Sequence, residues 1–415
     1  MRKNLYLGLI ACAALTMTGC SNDEVSYDSP KQEAQPIQFG TYVGRDVQGR
    51  ASVETTATIA TKGFGVFAYY NGTANHDNSD TPNFMYNQHV TSIDGSSWTY
   101  TPVKYWPNNT GDKVSFFAYA PYSTGGSNNI TLDAVTSMRI PQITFKVNNT
   151  VQSQTDLLYA DQTNPTYNLI KQKIGDKITF KFQHALARIG FTVRVVTDEV
   201  PAGSKALDDN TKIYVKKVML LKNSGNDYTG GDTPADDDKI FHESGTLNLK
   251  TSQAVGAASW SNQTGTQALT IATGAPSDNG DFEECKNNSI TEATTGSTKS
   301  TWGFELNSDN STANNKLNND DSYMMIIPQD LNTEGFRIYV EYDVVTKLST
   351  NTENEVLTEN KITTKDVKIN FQSGKAYTIN LQLGMTSVKV GASVEVWTPE
   401  TPETPANNPE NTTGA

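Results

Sequence analysis

The stretch from Ile178 to Val196 constrains the fold more than any other. Ile178, Phe180, Phe182, His184 and Leu186 occupy alternate positions, with Thr179, Lys181 and Gln183 between the first four, the period-two pattern of a strand with one buried face. Ile189, Phe191, Val193 and Val195 then take up the alternation one position out of step. A one-residue slip sends every side chain to the opposite face, so a bulge or bend near Ala187 is needed to keep both runs buried. The stretch reads as one strand leaving a first β-domain and another opening a second. A single long bent strand inside one sandwich is the alternative. The chain has 415 residues, and at roughly 100 to 200 residues per domain two domains fit better than one.

Strand-like runs lie on both sides. Ile37, Phe39, Thr41 and Val43 alternate with Gln38, Gly40 and Tyr42 to give a first strand. Lys62 to Tyr70 and Val114 to Pro121 are apolar on both faces, as central strands are. Ile143 to Val147 and Asp156 to Ala160 follow, then Ile213 to Leu221, Tyr323 to Gln329, Ile338 to Val344, Val367 to Phe371 and Tyr377 to Leu383. The last strand is the most regular: Val388, Val390, Ala392, Val394 and Val396 share one face, with Lys389, Gly391, Ser393 and Glu395 on the other. Short strands, frequent turn signals and no long helical periodicity predict an all-β sandwich fold. The final segment, Thr398 to Ala415, is Pro, Thr, Asn and Glu, too polar to bury a core.

The beginning of the chain reads as a targeting segment. Arg2 and Lys3 precede an apolar run from Leu5 to Met17, shorter than the ~20 residues a membrane span needs and laid out as an export signal. It ends at Gly19 and Cys20 in a context that resembles a bacterial lipobox, with Met17 where that pattern usually has Leu. Cleavage between Gly19 and Cys20 would make Cys20 the lipidated first residue, anchored durably by several acyl chains in the outer membrane. An ordinary secretory signal with an incidental Cys is the alternative. Ser21 to Glu24 resembles the surface-export signal of lipoproteins in Bacteroides-type bacteria. Val25 to Gln35 is polar, with acids and prolines, and reads as a tether. Once the leader is gone only Cys20 and Cys285 remain, so no internal disulfide can form beside a lipidated Cys20.

The chemistry of most function classes is missing. The formal charge is −12, and loss of the leader with Arg2 and Lys3 takes it to −14, a surface that repels phosphate backbones and makes nucleic acid an unfavourable partner. Four histidines leave little for catalysis, and His184 lies on the buried phase of its strand, as a hydrogen-bonded core histidine would. His76, His89 and His242 have no ligand-spaced partners, and Asp232 with Asp236 to Asp238 lacks the spacing of a calcium loop and reads as a solvated turn. No catalytic, cofactor-binding or metal residues are assigned, and the chain is not expected to be an enzyme. Trp98, Tyr100, Tyr105 and Trp106 sit at strand-like spacing, which favours core packing over sugar stacking.

Taken in order, IQF and GRAS after Pro36, GFGVFAYY from Gly63, VKYWPN from Val103, VSFFAYAP from Val114, DLLYA from Asp156, the Ile178 stretch, YMMIIPQ from Tyr323, FQSGKAYTINLQL from Phe371 and the closing VKVGASVEVW resemble the fimbrillin or Mfa-like fimbrial subunits of Bacteroides-type bacteria, from about Ile37 to Trp397. The resemblance implies two tandem transthyretin-like β-sandwiches. The expected division is a signal peptide over 1–19, a tether over 20–35, sandwiches over 36–186 and 187–397, and a disordered tail over 398–415. It also implies a fimbrial subunit serving cell adhesion, exported as a lipoprotein and cut by a trypsin-like protease behind its first strand. Arg50, before Ala51, is the preferred cut and Arg45 the second choice. Loss of Ile37, Phe39 and Val43 would open a groove that a C-terminal strand of another subunit fills, with Val388, Val390, Ala392, Val394 and Val396 as the donor face. Expected partners are other fimbrial subunits, outer-membrane lipid through Cys20 and a host or bacterial surface ligand. The alternatives are a tip or anchor subunit, since proline makes the tail a poor donor, and a monomeric surface lipoprotein that binds glycan or host protein.

Overall fold

The computed structural model describes residues 34–43, 54–160, 166–195, 211–229, 231, 233–250, 258–272, 304–305, 323–347, 355–385 and 388–396. The protein is all-β with a single short α-helix among these residues. Its first half contains β1 (Phe39–Val43), α1 (Thr56–Lys62), β2 (Phe64–Tyr70), β3 (Met85–Ser92), β4 (Trp98–Thr99), β5 (Val114–Ala120), β6 (Ile130–Thr131), β7 (Gln142–Lys146), β8 (Leu158–Ala160) and β9 (Ile178–His184). The second half adds β10 (Ala187–Val195), β11 (Thr211–Lys222), β12 (Phe241–Asn248), β13 (Ser259–Gln267), β14 (Leu269–Ala272), β15 (Phe304–Glu305), β16 (Met324–Ile326), β17 (Gln329–Asp330), β18 (Phe336–Lys347), β19 (Glu355–Val367), β20 (Asn370–Phe371), β21 (Lys375–Leu383) and β22 (Val388–Val396).

A seven-stranded sheet runs β1-β9-β8-β5-β2-β3-β4, and β2 and β5 at its centre are buried on both faces, as their unbroken apolar runs require. One face carries Phe64, Val66, Phe116, Phe180 and Phe182, covered by Ile59 of α1 and by Trp98 and Trp106. The other carries Phe67, Tyr69, Phe117, Tyr119 and Tyr159, packed on Ile143 and Phe145 of β7 and Leu247 of β12. A second sandwich pairs the sheet β16-β10-β21-β22 with the sheet β14-β11-β18-β19 around Phe191, Val193, Val218, Ile338, Val340, Ile379 and Leu381.

The out-of-step pattern has a simple structural cause. β9 belongs to the first sheet and β10 to another, and only Ala185 and Leu186 lie between them, both fully buried. Their backbone groups are still satisfied: Ala185 N–H donates to Leu157 O at 2.7 Å, Gly374 N–H to Leu186 O at 2.9 Å, and Trp260 Nε1–H to Ala185 O at 3.0 Å. The change of phase is a passage between sheets, not a bulge within a strand.

Strand pairing runs across the expected boundary at 186/187. β12 pairs antiparallel with β7, Gly245 opposite Phe145 and Leu247 opposite Ile143, so the sheet β13-β12-β7-β6 draws on both halves of the chain. The elements that sequence periodicity missed are polar ones. β13 is exposed along most of its length and held by its ladder to β12; α1 is a Thr-rich helix whose cap, Thr55, exchanges hydrogen bonds with Thr58. Trp98 and Trp106 are in the core as expected, whereas Tyr105 is 49% exposed.

Candidate functional site

Two edge strands hold the residues that the sequence singled out, β1 and β22. β1 is an edge of the seven-stranded sheet and pairs parallel with β9, Phe39 opposite Ile178 and Thr41 opposite Phe180. Phe39 is 1% exposed; its ring stacks on Phe180 at 5.7 Å and meets Tyr100, Phe116 and Phe64 at 5.2, 5.9 and 6.4 Å. Ile37 is buried beside it. The backbone around Ile37 is bound on both sides. Ile178 N–H donates to Gln38 O at 2.9 Å on one, while on the other Ile37 N–H donates to Lys104 O at 2.9 Å and Trp106 N–H to Gln35 O at 3.0 Å. Tyr100 Oη–H adds a bond to Ile37 O at 2.9 Å, and burial raises the pKa of that phenol. Gln35, which the sequence leaves in the tether, is buried and donates from Nε2 to Lys173 O at 2.8 Å. Without this strand, Phe180, Phe116, Phe64 and Tyr100 would line an open trough with one unpaired strand edge.

β22 is held differently. It is also an edge strand, paired antiparallel with β21 from Lys375 opposite Val396 to Leu383 opposite Val388. Its apolar face is only partly covered by its own fold. Val388 and Val390 pack at the margin of the second core, but Ala392 is exposed and Val394 is 55% exposed. An apolar row is thus presented on a strand that its own domain covers at Val388 and Val390 and leaves open at Ala392 and Val394.

Asp156 fastens the start of α1 to the end of β9. Its Oδ2 accepts Glu54 N–H at 2.9 Å and faces His184 Nδ1 at 2.8 Å. His184 is therefore a hydrogen-bonded core residue, and the partner that sequence left unnamed is Asp156, fully buried in an apolar run. Glu54 is itself buried; burial raises its pKa, against the pull of Lys62 Nζ at 2.5 Å. Charge placement elsewhere serves packing. Asp236 to Asp238 form an exposed turn in which Asp236 meets Lys239 at 2.7 Å and Asp238 pairs with the buried Arg337. Among the described residues no three His, Cys, Asp or Glu side chains converge as a metal site. Gly19, Cys20, Arg45, Arg50, Ala51, Asp232 and Cys285 lie outside the described residues.

The fimbrillin-like family model matches residues 50–397. The chain is 28% identical over 418 residues to the fimbrium subunit Fim1C of Phocaeicola vulgatus, covering 94% of this chain and 96% of the relative. Its fold is similar to the crystal structure of a fimbrial protein from Bacteroides vulgatus, with a TM-score of 0.61 and 24% identity over 88% of this chain and all of that one.

Proposed function

This chain belongs to the fimbrillin-like family, and from that premise we propose that it is a surface-exported fimbrial subunit assembled by strand exchange and serving cell adhesion. The observation that carries the reading is the contrast between the two edges. β1 fills an aromatic trough at a sheet edge, while β22 offers a row of valines that its own fold leaves half uncovered. In the proposed pathway Cys20 is lipidated, a trypsin-like protease cuts after Arg50, or after Arg45, and the β22 strand of another subunit replaces β1.

The energetics support a displacement rather than a simple release. Burial of Ile37 and Phe39 contributes about 3 to 6 kcal/mol, so β1 stays seated after the cut until another strand competes for its place. A donor row of four valines contributes roughly 6 kcal/mol at ~1.5 kcal/mol each, against ~1 to 2 kcal/mol of backbone entropy for each residue ordered. Side-chain burial therefore needs the ladder hydrogen bonds of a whole strand to hold a filament together. The sequence around the proposed cut fits, because α1 follows it and Asp156 fastens Glu54, leaving a well-held element at the new start.

The experiment is the N-terminus and size of the protein released from the producing cell, by intact mass and non-boiled gel. A chain beginning at Ala51 with a ladder of multimers supports the proposal. A lipidated chain beginning at Cys20 and running as a monomer overturns it in favour of an anchor subunit or a monomeric surface lipoprotein that binds glycan or host protein.

A further inference from the structure

At the Gln35 end of β1 the surface changes character. Ile93, at the tip of the β3–β4 hairpin, is 105% exposed, and Ile174 and Ile170, in the loop before β9, are 89% and 54% exposed. Among the described residues nothing covers the side chains of Ile93 and Ile174. The same loop, from Ile170 to Lys177, holds Lys171, Lys173 and Lys177 against one acid, Asp176, in a chain of net charge −12. Contacts bring these pieces together. Lys177 Nζ reaches Ser96 O at 3.4 Å, which ties the loop to the hairpin, and Lys171 Nζ reaches Asn108 Oδ1 at 3.5 Å. Lys173 O accepts from Gln35, and Pro36 bridges Tyr105, which is itself half exposed. Two exposed acids share this end, each tied to its own loop: Asp94 Oδ1 accepts Ser96 and Ser97 N–H at 2.9 and 2.7 Å, and Asp176 Oδ2 accepts Lys173 N–H at 3.3 Å.

We propose that this end, with Ile93 and Ile174 as apolar tips and Lys171, Lys173 and Lys177 around them, is a docking face for an anionic phospholipid surface. Protruding isoleucines ringed by lysines suit a bilayer interface, where the apolar tips leave water and the ammonium groups remain among the headgroups. The sequence places the face where such contact is easy. It adjoins Gln35, which donates to Lys173 O and stands fifteen residues beyond Cys20, and that tether spans at most about 50 Å. Only this orientation argument rests on the lipoprotein reading. The face would hold the anchored precursor with the Gln35 end of β1 toward the membrane before any cut.

The test uses the Cys20→Ser chain starting at residue 20, which carries no acyl group, titrated with vesicles of phosphatidylethanolamine and phosphatidylglycerol and with vesicles of phosphatidylcholine alone. Binding to the anionic vesicles is expected, weakened about tenfold by each of Ile93→Ser and Ile174→Ser and progressively by salt. Lys171→Glu with Lys173→Glu should abolish the preference for the anionic vesicles. Equal binding by wild type and the isoleucine variants, or none by wild type, overturns the proposal. So does self-association in solution that either isoleucine variant removes without vesicle binding, since the face would then join copies of this chain. Failure of the lipoprotein reading is seen separately, as a precursor from producing cells whose mass shows no acyl group at Cys20.

Discussion

Asp156 shows how much a single buried side chain decides here. One carboxylate oxygen serves the Glu54 amide and the His184 ring, so the start of α1 and the end of β9 are fixed to the same point. Asp156→Ala would take from both groups the buried acceptor they share and is expected to destabilise the fold by about 3 kcal/mol, with Asp156→Asn recovering part of it; urea melts of the three proteins give the comparison. His76 predicts a pH dependence. Its side chain is fully buried against Tyr69 and Phe117, 3.3 Å from Asp80, and burial first, then Lys250, lowers its pKa despite the pull of Asp80 and Asp77. A histidine whose folded pKa is depressed binds fewer protons folded than unfolded. Stability is then complete above its ordinary value of 6.5 and declines as pH falls through that value toward the folded one. His76→Gln should make the loss of stability between about pH 7.5 and about pH 5.5 smaller, measured as the difference in urea midpoints.

The two edge strands respond differently to substitution because one is buried and the other is not. Phe39→Ala removes a ring packed on four aromatic neighbours and should cost about 3 to 5 kcal/mol of stability in the uncut chain, read from thermal or denaturant unfolding. Ala392 is exposed on its own domain, so Ala392→Asp should leave the monomer within about 0.5 kcal/mol of wild type. If β22 is the donor, that charge has to enter an apolar trough in the next subunit, and multimers should disappear from non-boiled gels. Normal multimers from this variant would exclude β22 as the donor. The alternation from Val388 to Val396 announces a strand with an apolar face. What alternation cannot announce is whether that face is covered, because coverage depends on how far β19 and the second core extend over it.

Across the whole molecule, the sheet β13-β12-β7-β6 is where the halves of the chain depend on each other. β7 finds its ladder partner in β12, and the aromatic face of the first sheet is closed by Leu247 and Leu249 from beyond the β9–β10 passage. A fragment comprising residues 36–186 should therefore expose both the β7 edge and part of that face. It is expected to aggregate or to unfold without a cooperative transition, whereas the chain from 36 to 397 unfolds cooperatively; circular dichroism and sedimentation of the two decide it.

The residues by themselves determined the fold class, most of the apolar strands and the break of phase near Ala187, since period-two alternation is a local property and a phase break cannot be hidden; that the break is a passage between two sheets was decided by the tertiary structure. They also made His184 a core residue. Polar elements escaped: β13 and α1 exist because tertiary partners and side-chain caps hold them, not because their own side chains seek a core. Only the tertiary structure decided that Asp156 bridges Glu54 and His184, that Phe39 seals a trough while Val394 stays in water, and that β12 returns to the first half. Each of these depends on which surfaces meet across long sequence separations, and such meetings are fixed by the packing of whole sheets rather than by any run of residues.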